Sequence, residues 1–147
     1  MGAGGRSAIG AGAGRARERR ARIDTAIRPL ILDLGCCGVS ALQIGAPGYG
    51  LPGFDGSAYD LAPEQANVLI VAGRVSPPLE PFLRALYERL AAPRWVIAYG
   101  TCAISGAVFD TLGVDRILPV DVTLPGCPPS TDVLRDALAC LRRRRTR

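Results

Sequence analysis

Short apolar runs alternate along this chain with segments marked by glycine, proline or charge. Pro29 to Leu34, PLILDL, is apolar, stops at Gly35 and predicts a buried strand. Asn67 to Gly73, NVLIVAG, is the clearest strand signal, β-branched and again closed by glycine. Trp95 to Tyr99, WVIAY, predicts a third strand, followed by Gly100. Arg116 to Val122, RILPVDV, predicts a fourth, with Pro119 marking an edge or a strand end. Between these runs the period changes. Leu79 to Ala92 places Leu79, Phe82, Leu83, Leu86 and Leu90 on one helical stripe, with Pro93 as its stop. Val39 to Ile44 predicts a short helix closed by Gly45. Ser130 to Arg143 predicts a closing helix, capped by Ser130 or Thr131, whose last-turn arginines suit the helix dipole. Residues 45–57, GAPGYGLPGFDGS, predict a loop. Strands alternating with helices imply right-handed crossovers. The expected fold is α/β, with a mainly parallel sheet of about four strands and helices on both faces.

Composition narrows this picture without changing it. The chain has 147 residues, 48% hydrophobic and 21% charged, which suits one globular body. Charge divides it. Residues 1–28 hold seven arginines against Glu18 and Asp24, and five arginines lie in the last six residues. The stretch 29–141 holds six arginines and eleven acids. The expected organisation is a disordered basic extension over 1–25 and an α/β domain over 26–147 with a basic end. The ends read as solvated tails or as contacts for an anionic lipid surface or an acidic partner subunit. Nucleic acid is not expected as a partner, because few aromatics accompany the arginines and no binding motif appears. The N-terminus lacks the apolar centre of a secretory signal. The longest uncharged run, Leu34 to Phe54, contains six glycines and two prolines, so no transmembrane segment is expected.

Histidine is absent, which excludes a Ser-His-Asp triad, a Cys-His pair, and His-ligated zinc or haem. The chemistry that remains must use cysteine, carboxylate, arginine, hydroxyls or a bound cofactor, and the cysteines form a pattern. Cys36 and Cys37 follow the first predicted strand, Cys102 the third and Cys127 the fourth, each flanked by glycine. A parallel sheet brings loops at the carboxyl ends of its strands to one edge. Four thiolates at one point suit a cubane iron-sulfur cluster or an all-cysteine zinc site. The adjacent pair favours the cubane, because structural zinc uses a spaced Cys knuckle whereas a cubane offers separate iron corners. The alternative is buried or disulfide-linked cysteines, and the lack of a secretory signal disfavours disulfides. The expected donors to such a cluster are backbone amides around Gly35–Val39, Thr101–Ala103 and Gly126–Cys127. Cys140, at helical spacing from Val133, Ala137 and Leu141, reads as a small packed hydrophobe outside the site.

The stretches LGCCGV (34–39), NVLIVAG (67–73), PRWVIAYGTCA (93–103) and GVDRILPVDVTLPGCPP (113–129) resemble the B subunit of NADH-quinone oxidoreductase, respiratory complex I. They are also similar to the small subunit of membrane-bound, energy-converting [NiFe] hydrogenases. The resemblance covers roughly residues 30–141. It implies a flavodoxin-like fold without flavin that holds one [4Fe-4S] cluster on Cys36, Cys37, Cys102 and Cys127. It implies an electron-transfer subunit that passes electrons toward quinone within a multi-subunit oxidoreductase. Such a subunit is not active alone. It lies peripherally on the cytoplasmic side of the inner membrane, against a large-subunit partner and membrane subunits.

The adjacent cysteines match the complex I type, since the hydrogenase relatives have a spaced pair there. Three departures are visible. Ser40 stands where the family pattern CCxxE has an acid. The family loop RYDxxRFG is replaced by GYGLPGF over 48–54, which keeps Tyr49, Leu51 and Phe54 and substitutes Gly48, Gly50 and Gly53 for charged residues. The interval from Cys102 to Cys127 is shorter, and GTCAISGAVF is closer to the hydrogenase style. The loop change bears on the quinone pocket that the resemblance implies, not on the cluster. The competing readings are therefore a complex I-type electron carrier, a hydrogenase small subunit, and a non-catalytic structural subunit that kept the fold.

Overall fold

Val, Ile and Leu runs form four parallel strands in this computed structural model, which describes residues 27–45 and 61–145. The strands are β1 (Pro29–Leu34), β2 (Val68–Gly73), β3 (Trp95–Tyr99) and β4 (Val122–Leu124), lying side by side in chain order. Ile31, Ile70, Ile97 and Val122 are in register across the sheet. Every residue of β2 is buried, as a central parallel strand requires. β1 lies at one edge of the described sheet and is mostly half-buried, so the expectation of a buried strand there is corrected.

Side chains that alternate along each strand divide the core into two layers. On one face Leu69, Val71, Val96 and Ala98 pack with Leu83 and Leu86 of α2 (Glu80–Arg89). On the other, Val68, Ile70, Ala72, Ile97 and Tyr99 meet α1 (Cys36–Leu42) and α4 (Thr131–Arg145). The short helix α3 (Thr101–Ser105) joins the first face through Ala103. Helices thus cover both faces, as the alternation of elements predicts.

At the amino end of the strands Asn67, the buried polar residue of the core, fastens neighbours together. Its Oδ1 accepts the Arg28 N–H at 2.8 Å, and its carbonyl accepts the Trp95 N–H at 2.9 Å. At the carboxyl end β2 stops at Gly73, with φ of +120°. A Cβ there would lie 2.7 Å from the carbonyl carbon of Leu34, which only glycine avoids.

Several element boundaries differ from the sequence expectation. The helix predicted at Val39 begins at Cys36, so the adjacent cysteines stand in a helical first turn. The segment after Gly100, expected as a loop, is α3. The stripe of α2 omits Phe82, which is 53% exposed, and the helix ends at Arg89, before Pro93. The fourth strand lies at 122–124, not 116–122. Pro119 has no N–H to give a ladder, and the Ile117 carbonyl accepts Arg84 Nη1 at 2.8 Å instead. Ile117 and Leu118 are buried from an irregular path. Asp121 then leads into the strand, its Oδ2 accepting the Val96 N–H at 2.8 Å while its own N–H donates to the Val96 carbonyl at 2.9 Å. On α4 the packed residues are Leu134, Leu138 and Leu141, and Cys140 is exposed, so its reading as a packed hydrophobe is corrected. The basic extension 1–25, and the glycine-rich loop beyond Gly45, lie outside the described residues.

Candidate metal centre

The carboxyl edge of the sheet gathers three short cysteine segments. α1 starts directly after β1 and puts Cys36 and Cys37 in its first turn. α3 starts directly after Gly100 and carries Cys102. Cys127 lies between β4 and α4, after Gly126, and is followed by a cis bond to Pro128. Three of the four are therefore on helix starts, not in loops as the strand pattern suggested.

Cys37 is the inner member. It is 1% exposed, whereas Cys36 and Cys127 are exposed and Cys102 is intermediate. Burial pushes the Cys37 thiol up to about 11, because a thiolate there loses its hydration. A charge and a hydrogen bond from Cys36, and then the charges of Cys102 and Cys127, push it in the same direction. Cys36, Cys102 and Cys127 are thus each close enough to Cys37 to act on its thiol. Cys140 exerts no such influence on Cys37. It lies nine residues along α4 from Thr131, about 13 Å at the rise of an α-helix.

The chain leaves room for Cys37 by omitting a side chain. A Cβ on Gly100 would collide with Cys37 Sγ, and the φ of +96° at Gly100 also favours glycine. Gly100 is held in turn by its N–H to the Leu124 carbonyl at 2.8 Å. The Gly126 carbonyl accepts both the N–H of Thr101, at 2.9 Å, and its Oγ1, at 3.0 Å. The start of α3 and the approach to Cys127 therefore form one hydrogen-bonded unit. Backbone bonds also take up three of the amides expected to serve as donors. The amides of Thr101, Ala103 and Gly38 are engaged by the carbonyls of Gly126, Gly100 and Gly35.

Tyr99 and Ser40 belong to this edge, and the sequence pattern did not single out Tyr99. Tyr99 is fully buried, and its O–H donates to the Pro129 carbonyl at 2.7 Å. Ser40 Oγ lies 2.9 Å from the Tyr99 oxygen and 3.1 Å from the same carbonyl, and its one proton serves either of them. Burial raises the Tyr99 phenol above its ordinary range, the Ser40 hydrogen bond opposes this, and the charge of Cys37 adds to it. The available signal was alternation: Tyr99 shares the face of Ile97, the face covered by α1.

Among the described residues no three Cys, Asp or Glu side chains are gathered tightly enough for a single metal ion. The set is four thiol sulfurs from three backbone segments, with Cys37 buried, Cys102 intermediate and Cys36 and Cys127 exposed. This donor chemistry fits a cluster that presents several iron corners better than a compact tetrahedral ion. Also among the described residues, no helix is long and apolar enough to cross a membrane.

Comparison with known proteins agrees with this architecture. Over 118 residues the chain is 42% identical to the B subunit of NADH-quinone oxidoreductase from Thermobifida fusca (strain YX), covering 78% of this chain and 64% of that protein. Over 117 residues it is 41% identical to the corresponding protein of Nocardia farcinica (strain IFM 10152), covering 77% and 64%. The chain thus spans slightly under two thirds of these relatives. Among solved structures it is similar to a chain of the membrane-bound sulfane sulfur reductase (MBS), an archaeal respiratory membrane complex. That match has a TM-score of 0.70 and 24% identity, covering 88% of this chain and 75% of the other, and it bears on the fold. The family described as NADH ubiquinone oxidoreductase, 20 Kd subunit, matches residues 25–141, nearly the whole cysteine-bearing body, and the chain belongs to that family.

Proposed function

We propose that this chain is an electron-transfer subunit that holds one [4Fe-4S] cluster on Cys36, Cys37, Cys102 and Cys127, in a respiratory oxidoreductase of the NADH-quinone type. The observation that carries the reading is the convergence of three separate segments at one sheet edge, which brings Cys36, Cys102 and Cys127 close enough to act on buried Cys37. Family membership supports it. Such a cluster supplies reversible one-electron chemistry at a potential set by its surroundings. The chain's own residues bind and shield it. Cys37 anchors the inner side within the core layer of α1 and α4. Gly100 permits close approach of the backbone. The Thr101–Gly126 bonds hold the Cys102 and Cys127 segments at a fixed separation. One-electron transfer needs no proton donor at the site, and no side chain is assigned that role.

Electrons then pass toward quinone, and the chain works inside an assembly with a large-subunit partner and membrane subunits, peripheral to the inner membrane on its cytoplasmic face. Relatives named as subunits of NADH-quinone oxidoreductase support this context. A second reading, the small subunit of a membrane-bound [NiFe] hydrogenase, is favoured by the short interval from Cys102 to Cys127 and the hydrogenase-like GTCAISGAVF, while Gly48, Gly50 and Gly53 count against a quinone pocket of the complex I type.

Anaerobic reconstitution with iron and sulfide tests the cluster. The expected product is brown, holds about four irons and about four sulfides per chain, and gives a cubane EPR signal on reduction. A colourless, iron-free product would overturn the reading. Subunits that copurify from the native organism decide the assembly. A flavin-containing NADH-oxidising partner supports the first reading, and a partner with nickel-binding cysteine pairs the second.

A further inference from the structure

Cys127 is bracketed by hydrogen bonds on both sides. Upstream, the Gly126 carbonyl is held by Thr101, which ties the segment to α3. Downstream, the Pro129 carbonyl receives the O–H of Tyr99 at 2.7 Å, and Ser40 Oγ lies 2.9 Å from the Tyr99 oxygen and 3.1 Å from that carbonyl, with one proton for either. Tyr99 ends β3, three residues before Cys102, and Ser40 lies on α1, three residues after Cys37. The downstream bond set therefore joins the three segments that carry the four cysteines. Thr131 extends it: its Oγ1 lies 3.2 Å from Gln43 Oε1, linking the start of α4 to the end of α1.

Packing alone does not explain a tyrosine here. The ring fills a core position of the α1–α4 layer at 0% exposure, which a phenylalanine would fill equally well. The hydroxyl is the part that needs a partner once buried, and it has two. Proline at 128 and 129 contributes no N–H, so the segment after Cys127 is fastened through the Pro129 carbonyl.

We propose that Tyr99 is a positioning residue for the metal centre: its hydroxyl, shared with Ser40 and the Pro129 carbonyl, holds the Cys127 segment in register with α1 and β3. This rests on the reading that the four cysteines hold an iron-sulfur cluster. Tyr99 touches neither electrons nor protons in transit. It fixes where the Cys127 sulfur stands, and so how firmly a cluster held there would be retained.

The test uses the full chain carrying Tyr99→Phe or Ser40→Ala, reconstituted anaerobically beside the wild type. Both variants keep the far-UV circular dichroism of the wild type and load iron. Tyr99→Phe then releases iron to a ferrous chelator about fivefold faster than wild type, the scale of one lost buried hydrogen bond, and Ser40→Ala falls between. In the metal-free proteins, hydrogen exchange at the amides of Gly126, Cys127 and Ser130 accelerates in the same order. Release and exchange equal to wild type in Tyr99→Phe overturn the proposal. If the wild type takes up no iron, the cluster reading fails separately, and exchange in the metal-free chain still decides whether the tie exists. If Tyr99→Phe does not fold, Ser40→Ala decides: accelerated exchange supports the tie, and unchanged exchange overturns it.

Discussion

Gly100 lies against Cys37 so closely that a single added carbon on Gly100 would overlap the Cys37 sulfur. Gly100→Ala therefore both displaces the inner thiol and forces an L side chain to φ of +96°, a strain on the order of 1–3 kcal/mol. The variant is expected to lose most of its reconstituted iron while retaining its α/β circular dichroism. A chelator assay for iron per chain checks it, and wild-type loading would show that Cys37 need not sit where the structure has it.

Cys102→Ser and Cys140→Ser make a matched pair. Cys102 acts on Cys37, and Cys140 stands on the exposed side of α4 about 13 Å from its first residue. Cys102→Ser is expected to abolish normal cluster assembly and Cys140→Ser to leave iron content and EPR spectrum unchanged. Equal iron in Cys102→Ser and wild type counts against the site.

Thiol reactivity of the metal-free chain should follow burial. With iodoacetamide at mildly alkaline pH, Cys36, Cys127 and Cys140 react first, and Cys37, at 1% exposure, reacts last. Peptide mapping by mass spectrometry after timed quenching reads the order. Early labelling of Cys37 would mean that α1 does not pack as described.

The two faces of α2 separate core from surface. Leu83 is fully buried, so Leu83→Ala is expected to destabilise the fold by about 2–5 kcal/mol. Phe82 is half exposed, and Phe82→Ala should stay within about 1 kcal/mol. Urea unfolding of both variants against wild type measures the difference.

What the sequence made legible was set by how local the signal is. β2 and β3 are continuous apolar runs ended by glycine, and they appear within a residue of their predicted bounds. The four cysteines are legible because a parallel sheet brings strand ends together whatever the details of the loops. The path through 116–122 was not legible. Its apolar pattern suits a strand, yet Pro119 and the distant Arg84 decide otherwise. Phe82 and Cys140 were assigned to packed stripes by periodicity, but periodicity gives spacing around a helix and not where the neighbouring layer ends. Tyr99 was missed because its role depends on Ser40 and Pro129, respectively 59 and 30 residues away in the chain.

One strand gives the edge no sulfur. β2 lies between β1 and β3, and neighbouring strands stand about 4.8 Å apart. Cys37, on the segment that leaves β1, nevertheless lies against Gly100 at the end of β3, one strand further across the sheet. Gly73 stands beside Leu34 across the β1–β2 ladder, where an added Cβ would meet the Leu34 carbonyl. A bulkier residue at 73 would push against Leu34 and Gly35, directly before Cys36, and so draw the adjacent cysteines away from Gly100 although position 73 is not itself a cysteine.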